Sequence, residues 1–194
     1  MTNEVDILEA SDGAVLVQIA RVCLEQFVQR GAVTRLNLAQ LPLSLQQPGP
    51  TFVTLRRAGR LRGCIGNVME GRPLVESVLH NTVAAASRDP RFPPVTSHEL
   101  ATISLEVTVL TSLSALAYHD YNDLLLKIEA GTDGIMLKWG EKRGVLLPQM
   151  WDRIPQTAAF LKAVAQKATI PHVQLLAQPP VVAVYTFQAQ HFTE

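Results

Sequence analysis

Residues 51–68 read TFVTLRRAGRLRGCIGNV, and the fold turns on this stretch. Residues 51–57 alternate and carry Thr, Phe and Val, types that suit a pleated, half-buried strand. Ala58-Gly59-Arg60 supplies a short turn, and residues 61–68 read as the returning strand of an antiparallel hairpin. Gly63 and Gly66 weaken that strand. Glycines within a strand mark a bulge or a place where another group must approach the backbone. Alternation puts Leu61 and Ile65 on one face and Arg62 and Cys64 on the other. A guanidinium beside a thiol favours the thiolate, which is the nucleophilic form, and the two glycines would then clear space for a substrate. In the competing reading Cys64 is a small core residue, since free Cys is among the most buried types. Residue types alone favour that second reading.

Working outward, residues 11–30 have the three-and-four spacing of an amphipathic helix, with Ser11 as N-cap and Gly31 as stop. Residues 32–50, rich in Pro, Gln and Leu, read as a surface loop. Residues 73–88 read as a helix with Pro73 in its first turn, ended by Asp89-Pro90. ISLEVTVL within residues 102–110 is the clearest strand, with Glu106 on the face opposite Ile103, Leu105 and Val107. Residues 120–129 suggest a helix opened by Asp120. Residues 133–147 suggest a hairpin turning at Gly140-Glu141-Lys142. Residues 155–168 give another helix and residues 181–188 a final strand. Strands come mainly as hairpins, with helices interspersed and no regular βαβ beat. The pattern predicts an α+β fold with mainly antiparallel sheet and flanking helices.

Composition narrows the function. The chain has 194 residues, 17 Lys+Arg against 17 Asp+Glu, and 47% hydrophobic residues. Zero formal charge disfavours polybasic nucleic-acid binding. Seven arginines between residues 56 and 91 face three acids, Glu70, Glu76 and Asp89. This excess could steer an anion or a nucleic acid, but a solvated basic surface is the simpler account, and no RNA-module motif accompanies it. No run approaches the ~20 apolar residues of a membrane span. The opening MTNEVDILEASDG has acids where a leader would be basic, so the expected location is the cytoplasm. Two cysteines make no disulfide framework. There is no zinc spacing, HExxH, GxGxxG or P-loop, so no metal site is expected and no cofactor is indicated.

The hexapeptide LRGCIG at 61–66 resembles the signature of the AMMECR family. FVTL at 52–55 precedes it at that family's usual distance. PLVESVLHNTVAAASRDPRFPPVTSHEL at 73–100 is similar to the family's helix and D-x-R-F-x-P element. ISLEVTVL at 103–110 and GTDGIMLKWGEKRGVLLPQM at 131–150 match its acidic strand, its DG hairpin and its LPQ element. The resemblance runs from about residue 11 to residue 192 and identifies the chain as a single AMMECR-like domain spanning 1–194. It departs at Lys167-Ala168-Thr169-Ile170-Pro171, where the family has K-A-G-L followed later by a Trp. The resemblance implies a larger and a smaller lobe around a cleft. It also implies kinship with protein A of the AmmeMemoRadiSam set, with Memo-like and radical SAM proteins as partners. It carries no established reaction.

The candidate site follows. Cys64 is the candidate nucleophile or covalent carrier, Arg62 its thiolate stabiliser and anion clamp, and Gly63 and Gly66 the spacers. If Glu106 is half-buried, burial raises its pKa and it serves as general acid/base; a structural pair with an arginine competes. Asp89 and Arg91 are candidate ligand contacts. The structural account has Asp89 bonding backbone amides and Arg91 pairing with Glu106. Gln149, after Pro148, offers an amide to a ligand, and the resemblance strengthens that role. His80 is a candidate base for Cys64, against a plain surface role. Cys23 belongs to the core. The LRGCIG strand, the strand of Glu106 and the DPRF loop are expected to face the cleft. The leading function is a cytoplasmic cleft protein in a modification pathway with those partners. The alternatives are a non-enzymatic module presenting a ligand, peptide or RNA to a partner enzyme, and a regulatory nucleic-acid factor.

Overall fold

The computed structural model describes residues 7–33, 36–69 and 71–194. Residues 1–6, which carry the start of the leader argument, Thr34 and Arg35 of the predicted loop, and Glu70 of the charge tally lie outside them. The chain divides into two compact units, one running to Thr111 and taking back Gln190–Glu194, the other Ser112–Ala189.

The first unit is a four-stranded sheet with two long helices on one face. Its strands are β1 (Thr51–Arg57), β2 (Arg60–Gly66), β3 (Ile103–Leu110) and, returning from the far end of the chain, β8 (Ala189–Thr193), in the order β2-β1-β3-β8. β1 runs antiparallel to both β2 and β3. Val53, Leu55, Leu105 and Val107 point to the core from β1 and β3 and are buried. Helix α1 (Ala10–Arg30) meets them with Leu16, Val17, Ala20 and Leu24. It begins after Glu9 with no side-chain cap, so Ser11 is not the N-cap, and it ends as expected at Gly31 in the left-handed region. Helix α3 (Leu74–Ser87) begins one residue after Pro73. Asn81 ties it to the sheet by donating to the Thr51 carbonyl and hydroxyl, both at 3.0 Å. Cys23 is fully buried against Leu79 and Val83 of α3. The segment expected as a surface loop holds a short helix, α2 (Leu43–Gln46), whose Leu45 is fully buried.

The second unit has its own sheet and core. Its strands are β4 (Ser114–Ala115), β5 (Gly134–Trp139), β6 (Lys142–Leu146) and β7 (Ala183–Phe187), in the order β4-β7-β5-β6. The β5–β6 hairpin turns where expected, with Gly140 at φ +56°. Helix α4 (Tyr121–Lys127) is opened by Asp120, whose carboxylate accepts from the Asp123 N–H. Helix α5 (Thr157–Lys167) covers the sheet. Phe160 of α5 stacks on Trp151 with centroids 3.8 Å apart, and the Trp151 indole donates to the Asp133 carbonyl. No helix among the described residues is long and apolar enough to cross a membrane.

Candidate functional site

β2 is an edge strand of the first sheet. Its pairing with β1 matches Thr54 with Cys64 and Leu55 with Gly63, and then slips, so that Arg56 meets Leu61 and Arg62 has no partner across the strand. One extra residue in an edge strand is a β-bulge, and a bulge re-aims side chains. The simple alternation therefore fails beyond Gly63: Leu61, opposite Arg56, shares the face of Cys64 and Thr54, and Arg62 is freed from that face.

Arg62 turns to the segment that follows α3. Its Nε and Nη2 donate to the two Glu99 carboxylate oxygens at 2.8 and 3.1 Å, and Nη1 and Nη2 to the Pro93 and Pro94 carbonyls at 2.9 and 3.3 Å. Both members of the Arg62–Glu99 pair are only 12% exposed. The pair holds the Glu99 carboxyl at about 2, well below its ordinary value; the Arg62 hydrogen bond is the main cause and outweighs burial. Glu99 also accepts from the Thr96 N–H and hydroxyl, closing a capping box at the 3₁₀ turn Ser97–Thr102. Arg62 is thus committed through all three of its nitrogens to Glu99 and the two proline carbonyls.

The D-P-R-F element does serve Cys64. An edge strand exposes N–H and C=O groups to be covered, and here the cover is specific. The Cys64 N–H donates to Asp89 Oδ2 at 2.8 Å, and the Cys64 carbonyl accepts from Arg91 Nη2 at 3.1 Å. Arg91 in turn grips Asp89 through Nε at 2.9 Å and Nη2 at 2.7 Å. Asp89 is buried, its side chain 2% exposed, while that of Arg91 is 53% exposed. The Arg91 hydrogen bond drives the Asp89 carboxyl well below its usual range, against burial, with help from the Cys64 N–H. The Arg91 guanidinium is raised, first by Asp89 and further by the Cys64 side chain. The Phe92 ring is near both arginines, its centroid 5.6 Å from the Arg91 guanidinium carbon and 5.9 Å from that of Arg62. Asp89 therefore bonds a backbone amide, and Arg91 pairs with Asp89 rather than with Glu106.

The glycines make room for the chain itself. A Cβ on Gly63 would stand 2.3 Å from the Ala85 carbonyl oxygen of α3, and one on Gly66 2.2 Å from the Thr51 carbonyl oxygen. Gly63 thus faces α3, and its neighbour Cys64 faces the opposite side of the sheet. Cys64 is half-buried and stands outside the core clusters, unlike Cys23. The Thr54 hydroxyl donates to its sulfur at 3.4 Å.

Thr54 pairs with Cys64 on one side and Glu106 on the other, so the three form a row across the sheet. The row continues into β8, where His191 Nδ1 lies 3.4 Å from Glu106 Oε1 and 3.2 Å from the Thr108 hydroxyl. Glu106 is half-buried, yet its carboxyl is lowered rather than raised. The His191 hydrogen bond outweighs burial, and Arg56 adds to it. It stands as a carboxylate and acceptor, a weak base at neutral pH. His191 has no companion at metal-ligand spacing in the sequence, and β8 is short and mostly polar; the one signal there is Phe192 beside it, which fills the space over Gly13 of α1. His80 is exposed on α3, behind the sheet from Cys64. Gln149 is exposed in the second unit, on the 3₁₀ turn Pro148–Asp152. Among the described residues no group of three or more His, Cys, Asp or Glu could hold a metal ion.

Comparison with known proteins agrees with this architecture. A family model described as AMMECR1 matches residues 17–192. A protein of Thermofilum pendens is 38% identical over 96% of this chain and 92% of its own length. One of Methanothermobacter thermautotrophicus is 38% identical over 96% of each. The crystal structure of an uncharacterized protein from Pyrococcus horikoshii superimposes with a TM-score of 0.85 at 32% identity, covering 96% of this chain and 93% of that one.

Proposed function

Since the chain belongs to the AMMECR1 family, we propose that it presents Cys64 as a fixed nucleophilic thiol in a cytoplasmic modification pathway, with Memo-like and radical SAM proteins as partners. The partners rest on the family resemblance. The observation that carries the thiol is the double grip on its peptide unit: the N–H on buried Asp89 and the carbonyl on Arg91. A nucleophile on a rigid element, with its own backbone locked, is held in one attack geometry. Arg91 is the cation beside Cys64, its guanidinium raised in part by the Cys64 side chain, and Thr54 donates to the sulfur. In the step itself the thiol proton goes to solvent and sulfur bonds to an electrophilic carbon. The bond from that carbon to its leaving group breaks, and the pair departs with the leaving group. Glu106 orients His191 beside the thiol row, and the exposed Gln149 amide remains a candidate ligand contact.

One observation favours the adaptor reading, in which the domain presents a ligand or RNA to a partner enzyme: most polar groups of the two motifs are spent on each other. The two readings separate on Cys64. With Cys23→Ala removing the other thiol, the folded chain is treated with iodoacetamide and the adduct located by peptide mass. Modification of Cys64 in the folded chain is expected. Modification only after denaturation, with Cys64→Ser still capturing the Memo-like or radical SAM protein, would leave the adaptor reading standing.

A further inference from the structure

We propose that the Cys64 site takes an electrophile bearing an anionic group, and that the outward Nη1 of Arg91 is the contact that selects it. This rests on the reading of Cys64 as a nucleophile. Arg91 is divided in function. Nε and Nη2 face inward and are committed to Asp89 and to the Cys64 carbonyl. The third nitrogen, Nη1, belongs to a side chain that is 53% exposed, and the Cys64 side chain acts on the same guanidinium.

The neutralising carboxylate does not compete for this end. The Asp89 side chain is 2% exposed and that of Arg91 53%, so an anion arriving from solvent meets the guanidinium rather than the carboxylate. The grip on Asp89 also fixes the fork in advance, which lowers the ordering cost of binding. Two neighbouring arginines of the hairpin are engaged elsewhere. Arg62 is turned to Glu99 and the proline carbonyls. Arg56 stands opposite Leu61 on the far side of the bulge, and its charge acts on Glu106. Arg91 donates to the carbonyl of Cys64 itself, so an anion on its guanidinium is held at the residue that carries the sulfur. Attack forms the S–C bond, the thiol proton having gone to solvent, and the leaving group departs with the electron pair of the broken bond.

Two reagents of nearly equal size isolate the charge: iodoacetate, which carries a carboxylate, and iodoacetamide, which does not. In both, sulfur displaces iodide. With Cys23→Ala at low salt, the ratio of the two Cys64 alkylation rates is expected to fall roughly two- to fivefold in Arg91→Ala, the range of a half-exposed ion pair. Arg60→Ala removes the same charge at the hairpin tip and is expected to leave the ratio unchanged. If Arg91→Ala does not fold, the unmutated ratio is read against salt, and a fall with added salt is expected. A ratio indifferent to Arg91, or to salt, overturns this inference while leaving a reactive Cys64. Absence of any reaction in the folded chain overturns the thiol reading itself.

Discussion

Asp89 is the residue on which the site depends most. Its buried carboxylate accepts from the Cys64 N–H and from Arg91. Asp89→Asn keeps the shape but loses the charge that makes these bonds strong. It is expected to cost roughly 1.5–3 kcal/mol, read as a lower urea midpoint at unchanged slope. Thr169 makes the opposite case. It stands at the glycine of the family's K-A-G-L and adopts φ +54°. A β-branched residue is strained there. Thr169→Gly should therefore raise stability by about 1 kcal/mol, the left-handed penalty less the entropy of a freer glycine. The importance of Arg62 and Cys64 was legible in the sequence, but the direction of Arg62 was not. Alternation assumes an unbroken ladder, and the bulge that frees Arg62 depends on pairing with β1, which residues 61–66 alone do not encode. The expected pKa of Glu106 failed for a similar reason: its partner His191 lies 85 residues away in sequence.

At the scale of elements, LRGCIG and DPRF are two halves of one structure, an edge strand and the strap that covers it. Gly63 lets α3 approach β2 closely. Gly63→Ala puts a methyl against backbone rather than against a yielding side chain, and is expected to destabilise by about 1–3 kcal/mol, seen in thermal melts. The 3₁₀ turn beyond the strap carries an acid-sensitive tie. The Glu99 carboxyl falls from 4.5 to about 2 on folding, chiefly through Arg62. A depressed pKa contributes stability that is complete above 4.5 and is lost as pH falls toward 2. Glu99→Gln should flatten the stability profile across that window, and an unchanged profile would count against the tie. β1, β3, α1, α3 and the β5–β6 hairpin follow periodicities that a single sequence displays, and they lie within two residues or so of expectation. β8 and the 3₁₀ turns depend on tertiary partners and carry no such period.

On the scale of the whole molecule, each unit closes its own core, one around α1, α3 and the first sheet, the other around Phe160, Trp151 and α5. Both tryptophans belong to the second unit, so indole fluorescence reports on it. Phe160→Ala is expected to lower the fluorescence-detected stability by roughly 3–5 kcal/mol. Cys64 reports on the first unit, and the account turns on its state. The most direct measurement is its alkylation rate by iodoacetamide in folded Cys23→Ala protein, set against the same chain in denaturant at the same pH. The account predicts a folded rate equal to or above the unfolded one, because the thiol is half-exposed, fixed by its peptide unit and flanked by Arg91. A folded rate suppressed by about a hundredfold or more, in the manner of a buried core cysteine, would contradict it.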